Sequence, residues 1–232
     1  DLYASRLGIE LVGCIQTLGH LEQILKWNGA YDKVKDTDSV LMVDEPETYK
    51  LIEKMIHFWS EALTSRRIHI GMDETHDLGR GRFLDKYGYE SGFDLFNRHL
   101  GKVNEICRKT GFSPLIWSDM YFSFSNPDQN YYDLEHTVPE AVQKKIPRNV
   151  QLIYWDYYHE DVAMYEKMIQ RHRDIGFEPV MGSGIWTWMR LWYDHEKTMK
   201  TVVPCIQTCR KQKVSELFFT MWGDNGAYCN YD

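Results

Sequence analysis

Residues 67–76 read RIHIGMDETH, a short apolar run that ends in two adjacent carboxylates, Asp73 and Glu74. Continuous apolar runs of this kind are typical of parallel strands that are covered on both faces. The same pattern recurs along the chain and predicts strands over 9–16, 67–72, 114–119, 150–157, 178–187 and 216–222. Polar and aromatic residues follow nearly every run, so this stretch is one unit of a repeated pattern.

Amphipathic helices are predicted between these strands, because apolar residues return there every three or four positions. The longer helices are predicted over 46–63, 92–110, 160–175 and 195–212. A short helix is predicted ahead of the first strand and ends at Gly8, a residue type that commonly follows a helix. Pro204 lies inside the last helix and should kink or restart it.

Strands that alternate with helices predict a parallel sheet, as either a doubly wound sheet or a barrel. No Gly-rich phosphate loop follows any strand, whereas a dinucleotide-binding sheet would normally have one. Polar and aromatic residues cluster after the strands instead, where barrel active sites are built. The predicted fold class is therefore α/β, a TIM (β/α)8 barrel of which the chain holds about six of the eight strands. We expect residues 1–232 to form one catalytic barrel domain that is truncated at both ends, without its first two βα units and its last helix.

The composition argues against several classes of function. Asp and Glu number 34 against 27 Lys and Arg, and the formal net charge of −7 argues against nucleic-acid binding. No apolar run approaches the ~20 residues of a membrane helix. Five cysteines without a CxxC pair favour reduced thiols, and hence a cytoplasmic location, over a disulfide framework or a zinc site. Eight Trp and 15 Tyr residues favour a site that stacks on flat, partly apolar ligands such as sugars.

Asp73 and Glu74 are the strongest candidates for chemistry. At the C-terminal end of a parallel strand, both side chains can turn into one cleft. Carboxylates held close together favour one neutral and one ionised form, which suits acid–base catalysis. An alternative is structural: Asp73 would cap the next helix, and Glu74 would pair with Arg80 or Arg82.

A family resemblance accompanies this strand. Residues 69–74 (HIGMDE) resemble the His-x-Gly-x-Asp-Glu signature of family-20 glycoside hydrolases, the β-N-acetylhexosaminidases. Residues 16–20 (QTLGH) resemble the end of that family's preceding strand, which usually carries an acidic residue and Pro-Gly-His. The runs GMDETHDLGRGRFL, IWSDM, YWDYY, WTW and TMWGDNG follow in the family's order and are most similar to its intracellular, hexosaminidase D-like branch. The resemblance covers essentially the whole chain.

The resemblance implies a retaining exo-β-N-acetylhexosaminidase that removes terminal β-linked GlcNAc or GalNAc from glycans or glycoconjugates. In that family the substrate's own 2-acetamido oxygen attacks the anomeric carbon, through an oxazoline intermediate. Glu74 would be the general acid and then the base that activates water, and Asp73 would accept the acetamido N–H. The resemblance implies neither a metal ion nor a cofactor for this reaction.

The resemblance and the stacking chemistry of aromatic rings also indicate substrate-binding residues. Tyr157 or Tyr158 would donate to the acetamido oxygen, a choice that strand alternation leaves open. Asp224 stands where many relatives carry a Glu that binds sugar hydroxyls. His20 would support the catalytic pair. The candidate set is His20, His76, Trp117, Asp119, Trp155, Tyr157, Tyr158, Trp186, Trp222 and Asp224.

Two other functions stay open at this point. A metal-dependent barrel hydrolase would use Asp73, Glu74, His69, His76 and Asp119 as ligands, but the aromatic excess has no role in it. The second is a barrel that binds a sugar without hydrolysing it, and the intact pair of carboxylates argues against this function. The expected partner is a carbohydrate with a terminal β-N-acetylhexosamine, and neither a nucleic acid nor a membrane is expected. The loop 120–136 is a candidate for an outer subsite or for the contact of a homodimer.

Overall fold

The computed structural model describes residues 1–224 of the 232-residue chain. The chain folds into two compact units, Asp1–Gln151 and Leu152–Asp232. In each unit, three parallel strands follow one another in chain order, with helices in the connections. Parallel strands need such crossover connections, because a tight turn can join only antiparallel neighbours.

The first unit contains strands β1 to β3 and helices α1 to α7. The strands are β1 (Gly13–Cys14), β2 (Arg67–His69) and β3 (Ser113–Trp117). The helices are α1 (Leu2–Arg6), α2 (Glu22–Leu25), α3 (Pro46–Ala62), α4 (Arg82–Tyr87), α5 (Gly92–Lys109), α6 (Asp119–Ser123) and α7 (Glu140–Gln143). β2 pairs in parallel with both β1 and β3, so the strand that leads to the two carboxylates is central in this unit.

The second unit begins within β4 (Gln151–Trp155) and contains α8 (Val162–Asp174), β5 (Val180–Gly184), α9 (His195–Gln212) and β6 (Leu217–Thr220). β5 pairs in parallel with both β4 and β6. Every residue of β5 is buried, as expected for a strand with a neighbour on each side.

The long helices form where the apolar spacing predicts them. α3 begins with Pro46 in its first turn and buries Ile52 and Ile56, which lie one turn apart on the predicted stripe. α5 buries the predicted stripe that includes Phe96 and is followed by Gly111, whose φ of 81° only glycine adopts readily. The predicted bounds of these helices are confirmed to within two residues.

The prediction of a restart at Pro204 is wrong. α9 runs as one helix from His195 to Gln212, with Pro204 inside it. Asp194 caps its first turn by accepting the N–H of Lys197, and the helix packs against α8 and β5. Burial of this face outweighs the single backbone hydrogen bond that a proline removes.

The first predicted strand is much shorter than residues 9–16. Only Gly13 and Cys14 form β1, and Ile9 is exposed. Within the described residues β1 pairs with β2 alone, so its ladder has hydrogen bonds on one side only. The contact with β2 continues beyond β1, where the N–H of Thr17 donates to the carbonyl of Ile70.

Six parallel strands alternating with helices confirm the predicted fold class, a partial TIM barrel. Among the helices of residues 1–224, none combines the length and the apolar character needed to span a bilayer. The described cysteines are free thiols, as predicted: Cys14, Cys107, Cys205 and Cys209. Cys229 and the last two residues of the TMWGDNG run lie outside the described residues.

Candidate active site

The backbone that follows β2 leaves the strand through an unusual run of left-handed residues. Gly71, Met72 and Glu74 have φ angles of 69°, 77° and 50°. Positive φ is uncommon for residues other than glycine, and such strain concentrates at functional sites. In a regular strand Asp73 and Glu74 would point to opposite faces. Here the irregular backbone brings both carboxylates to the same histidine, His20.

His20 lies between the two carboxylates. Its Nε2 is 3.2 Å from Asp73 Oδ2 and 3.4 Å from Glu74 Oε2. The hydrogen bond with Asp73, followed by that with Glu74, raises the pKa of His20 to about 10. His20 is therefore an imidazolium at neutral pH, and its positive charge is favourable beside the two carboxyl groups.

Asp73 and Glu74 differ in how firmly they are held. The Asp73 side chain is 13% exposed, and its Oδ1 accepts a hydrogen bond of 2.9 Å from Gln16 Nε2. The Glu74 side chain is 48% exposed. The structure thus has one clamped carboxylate beside one that is open to solvent, an asymmetry that suits two different roles.

Asp119 supports the backbone of Glu74. Its Oδ2 accepts the N–H of Glu74 at 2.9 Å, and its side chain is buried at the start of α6. The next backbone N–H, of Thr75, points to the sulfur of Met120 at 3.2 Å. The start of α6 therefore fixes the turn that carries the carboxylates, while contact of Asp119 with substrate stays a prediction.

His69 and Trp117 pack together at the ends of β2 and β3. The two rings lie 4.6 Å apart, and burial lowers the pKa of His69 to about 4, so its ring is neutral. His69 Nδ1 accepts the N–H of Gly71 at 3.0 Å, which puts the proton on Nε2. This Nε2 is buried and has no hydrogen-bond partner among residues 1–224.

His76 lies outside this group. It is exposed, and its Nδ1 is 3.0 Å from Oε1 of Gln129, in the loop 120–136. That loop is folded on its own side chains: Asn126 donates to the carbonyl of Asn130 and accepts its N–H. The outer subsite and the dimer contact proposed for this loop both stay predictions.

The structural alternative for the two acids is wrong. Arg80 donates to the carbonyls of Gly79 and Glu90, and Arg82 to the carbonyl of Lys35. The residue that precedes α4 is Gly81, so Asp73 does not cap that helix.

The second unit contains the predicted aromatic residues as a packed cluster. Tyr157, Trp186 and Trp188 form its buried centre, and Trp155 and Trp222 pack against them. Trp186 and Trp188 stack with ring centres 4.3 Å apart, and Trp186 Nε1 donates to the carbonyl of Tyr157 at 2.8 Å. Rings that stack on each other offer less surface to a sugar, so substrate binding by this cluster stays a prediction.

The two candidate tyrosines differ in exposure. Tyr157 is 5% exposed and Tyr158 is 46% exposed. Tyr158 donates its backbone N–H to Asp156, a buried carboxylate that also accepts from Tyr154 Oη and contacts His159. Asp224, at the end of the described residues, is exposed.

Comparison with known proteins identifies the family. The model of the glycosyl hydrolase family 20 catalytic domain matches residues 2–207. The chain belongs to glycosyl hydrolase family 20. Human hexosaminidase D is 28% identical over 182 residues, and bovine hexosaminidase D is 24% identical over 192. These matches cover 73% and 78% of this chain but only 34% and 49% of the relatives, so the chain spans about a third to a half of their length.

Solved structures share the fold. The tandem catalytic modules of the pneumococcal exo-β-D-N-acetylglucosaminidase StrH give a TM-score of 0.61 at 16% identity, over 100% of this chain and 58% of that one. β-N-acetylhexosaminidase from Bacteroides fragilis gives 0.54 at 17% identity, over 86% of this chain and 37% of that one.

The ligand set expected for a metal hydrolase is not assembled in residues 1–224. His69 bonds to Gly71, His76 to Gln129, and Asp119 to the backbone of Glu74. The donor atoms that lie within 4.8 Å of one another belong to His20, Asp73 and Glu74.

Gln16 is the residue that sequence reasoning missed at this site. Its Nε2 contacts Asp73, and its Oε1 accepts the N–H of Met72 at 3.3 Å. The available signal was its place in the QTLGH segment, where family 20 usually has an acidic residue.

Proposed function

We propose that this chain carries the catalytic residues of a β-N-acetylhexosaminidase, which releases terminal β-linked GlcNAc or GalNAc from glycans or glycoconjugates. The observation that carries the proposal is the contact of one histidine, His20, with both carboxylates of the family-20 strand. In this proposal residues 1–232 belong to one catalytic domain of a longer barrel.

The proposed reaction retains the anomeric configuration. The acetamido oxygen of the bound sugar attacks the anomeric carbon, while the bond to the leaving oxygen breaks and Glu74 gives its proton to that oxygen. Water, deprotonated by Glu74, then opens the oxazoline ring on the face from which the leaving group departed. Because the nucleophile belongs to the substrate, much of the entropic cost of bringing it to the carbon is avoided.

The contacts of the two carboxylates support this division of roles. Asp73 is held by Gln16 and His20, which suits a group that must orient the acetamido N–H. Glu74 is the more exposed acid and can reach a leaving group. His20 Nε2 lies 3.4 Å from Glu74 Oε2 and holds that side chain beside Asp73, while the proton that Glu74 takes from water restores the acid for the next cycle.

Substitution of each carboxylate tests the proposal, in the protein expressed at its full natural length. The substrates are aryl β-GlcNAc and β-GalNAc, which have good leaving groups, and a β-linked GlcNAc disaccharide, which has a poor one. Glu74→Gln should lose about 10²–10⁴-fold in kcat on the disaccharide, and less on the aryl glycosides. Asp73→Asn should lose activity on all three, because the acetamido group is no longer oriented.

Asp38→Asn is the control, because its side chain is 95% exposed and it should leave all rates unchanged. Near-native turnover of the disaccharide by either site variant would show that the roles are assigned wrongly.

The competing function is a metal-dependent hydrolase, and the observation that favours it is the cluster of donor atoms from His20, Asp73 and Glu74. A chelator distinguishes the two functions. Hexosaminidase activity should survive dialysis against EDTA. Activity that disappears with EDTA and returns with added zinc would favour the metal enzyme. Binding of GlcNAc without turnover by the wild-type protein would favour the non-catalytic alternative.

A further inference from the structure

We propose that Gln16 is a positioning residue, whose side-chain amide holds the Asp73 carboxylate in the orientation that receives the substrate's acetamido N–H. This inference rests on the proposed function. It concerns a residue that touches a catalytic side chain rather than the substrate.

The two contacts of Gln16 define which end of its amide faces Asp73. The N–H of Met72 can only donate, so the atom facing it at 3.3 Å must be the carbonyl oxygen Oε1. The amide nitrogen then faces Asp73 Oδ1 at 2.9 Å. A side chain with an acceptor and a donor at its two ends satisfies both neighbours, which neither Leu nor an ionised Glu can do.

The backbone on both sides of Gln16 is locked to the chain that leads to Asp73. The N–H of Ile15 donates to the carbonyl of His69 at 2.9 Å, and the N–H of Thr17 donates to that of Ile70 at 3.2 Å. Gln16 is thus fixed in register beside the carboxylate turn.

Gly71 provides the space for the Gln16 amide. A Cβ at position 71 would collide with Gln16 Oε1, and the φ of 69° would strain any other residue there. The glycine of the family motif and the glutamine of the preceding segment therefore fit each other.

Gln16 holds the oxygen of Asp73 that His20 does not contact. His20 contacts both carboxylates, whereas the side chain of Gln16 contacts only Asp73 among the two. With Oδ1 held by Gln16 and Oδ2 by His20, the carboxylate cannot rotate about its last bond. The titratable groups around Asp73 are His20, Glu74, His69 and Cys14, so Gln16 adds a donor without adding charge.

Two substitutions at position 16 separate orientation from charge. Gln16→Ala removes the hydrogen bond and should lower kcat about tenfold, with little change in the pH dependence. Gln16→Glu places a second carboxylate against Asp73, and since two adjacent acids tend to share one proton, the acid limb of kcat/KM should move up by about one pH unit or more. The acid limb therefore reports whether side chain 16 faces Asp73 in the active enzyme, and the kcat of Gln16→Ala reports whether its hydrogen bond matters for turnover.

Gln170→Glu is the matched control. Gln170 Nε2 donates to Asp174 Oδ1 at 2.8 Å on the exposed side of α8, so this variant creates a similar pair of acids away from Asp73. It should leave kcat and the pH profile unchanged. Thermal unfolding of all three variants and inhibition by a thiazoline mimic of the intermediate complete the set, and the mimic should lose affinity in both Gln16 variants.

The outcomes distinguish this inference from the proposed function. An active wild-type protein with an unmoved acid limb in Gln16→Glu and kcat within twofold in Gln16→Ala would overturn the role of Gln16 alone. A folded wild-type protein that neither turns over aryl β-GlcNAc nor binds the mimic would overturn the proposed function, and this inference with it.

Discussion

The charge of His20 dominates the electrostatics of the site at the scale of single residues. Asp73 and Glu74 are neighbours in sequence, and without a cation between them their repulsion would favour an open turn. His20 itself has a φ of 54°, so strained backbone is present on both sides of the contact. A residue that stabilises the folded state through its charge must do so in a pH-dependent manner.

The pKa of His20 is about 10 in the folded protein, against about 6.5 for an unperturbed histidine. Its stabilisation is therefore complete below pH 6.5 and is lost as the pH rises through about 10. We expect the difference in free energy of unfolding between the wild type and His20→Gln to shrink from pH 6 to pH 10, as measured by urea titration. His57→Gln, an exposed histidine on α3, is the control. A difference that stays constant over this range would contradict the ion pair.

At the scale of elements, the apolar spacing predicts α3, α5, α8 and α9, because each buries one continuous stripe. Periodicity does not predict the short helices α2, α4, α6 and α7, since four to six residues are too few to show it, and α1 is predicted only from the glycine that follows it. The backbone of the carboxylate turn is likewise not predictable from the apolar spacing. Its residue types indicate chemistry, and the family resemblance indicates His20 as the supporting residue, but the positive φ angles and the contact distances depend on how distant segments pack.

Asp36 shows how such a contact organises an element. Its buried carboxylate accepts the N–H of Gly79 at 2.9 Å and that of Phe83, in the first turn of α4, at 2.7 Å. Asp36→Ala leaves two buried donors without a partner and should reduce the free energy of unfolding by about 2 kcal/mol or more.

Asp38→Ala is the comparison for this variant. It removes only a surface ion pair with Lys35 and should cost about 1 kcal/mol or less. Chemical denaturation measures both variants, and equal losses would show that Asp36 does not hold α4.

At the scale of the whole molecule, the order of the motifs along the chain was predictable, because each follows an apolar run that can be read directly. The carboxylates and His20 lie in the first unit, and the aromatic cluster lies in the second. The exposed apolar surface of residues 2–12 was not predictable from periodicity. α1 buries no residue, and Leu2, Tyr3, Leu7 and Ile9 are all more than half exposed.

Soluble proteins rarely leave such a run of large apolar side chains uncovered. We therefore propose that residues 2–12 are covered by another part of the barrel domain in the full natural chain. Ile9 is 51% exposed within residues 1–224, and Tyr89, at 74%, serves as the comparison. If a further segment covers Ile9, an Ile9→Asp substitution buries an unpaired charge and should destabilise the full-length protein by about 2 kcal/mol or more.

Tyr89→Asp should cost about 1 kcal/mol or less, which is the loss of the contact between the Tyr89 ring and Arg80. Denaturant titration of the two full-length variants gives the comparison directly. Equal and small losses in the free energy of unfolding would mean that residues 2–12 face solvent in the full-length protein. The proposal that further barrel elements pack there would then be wrong.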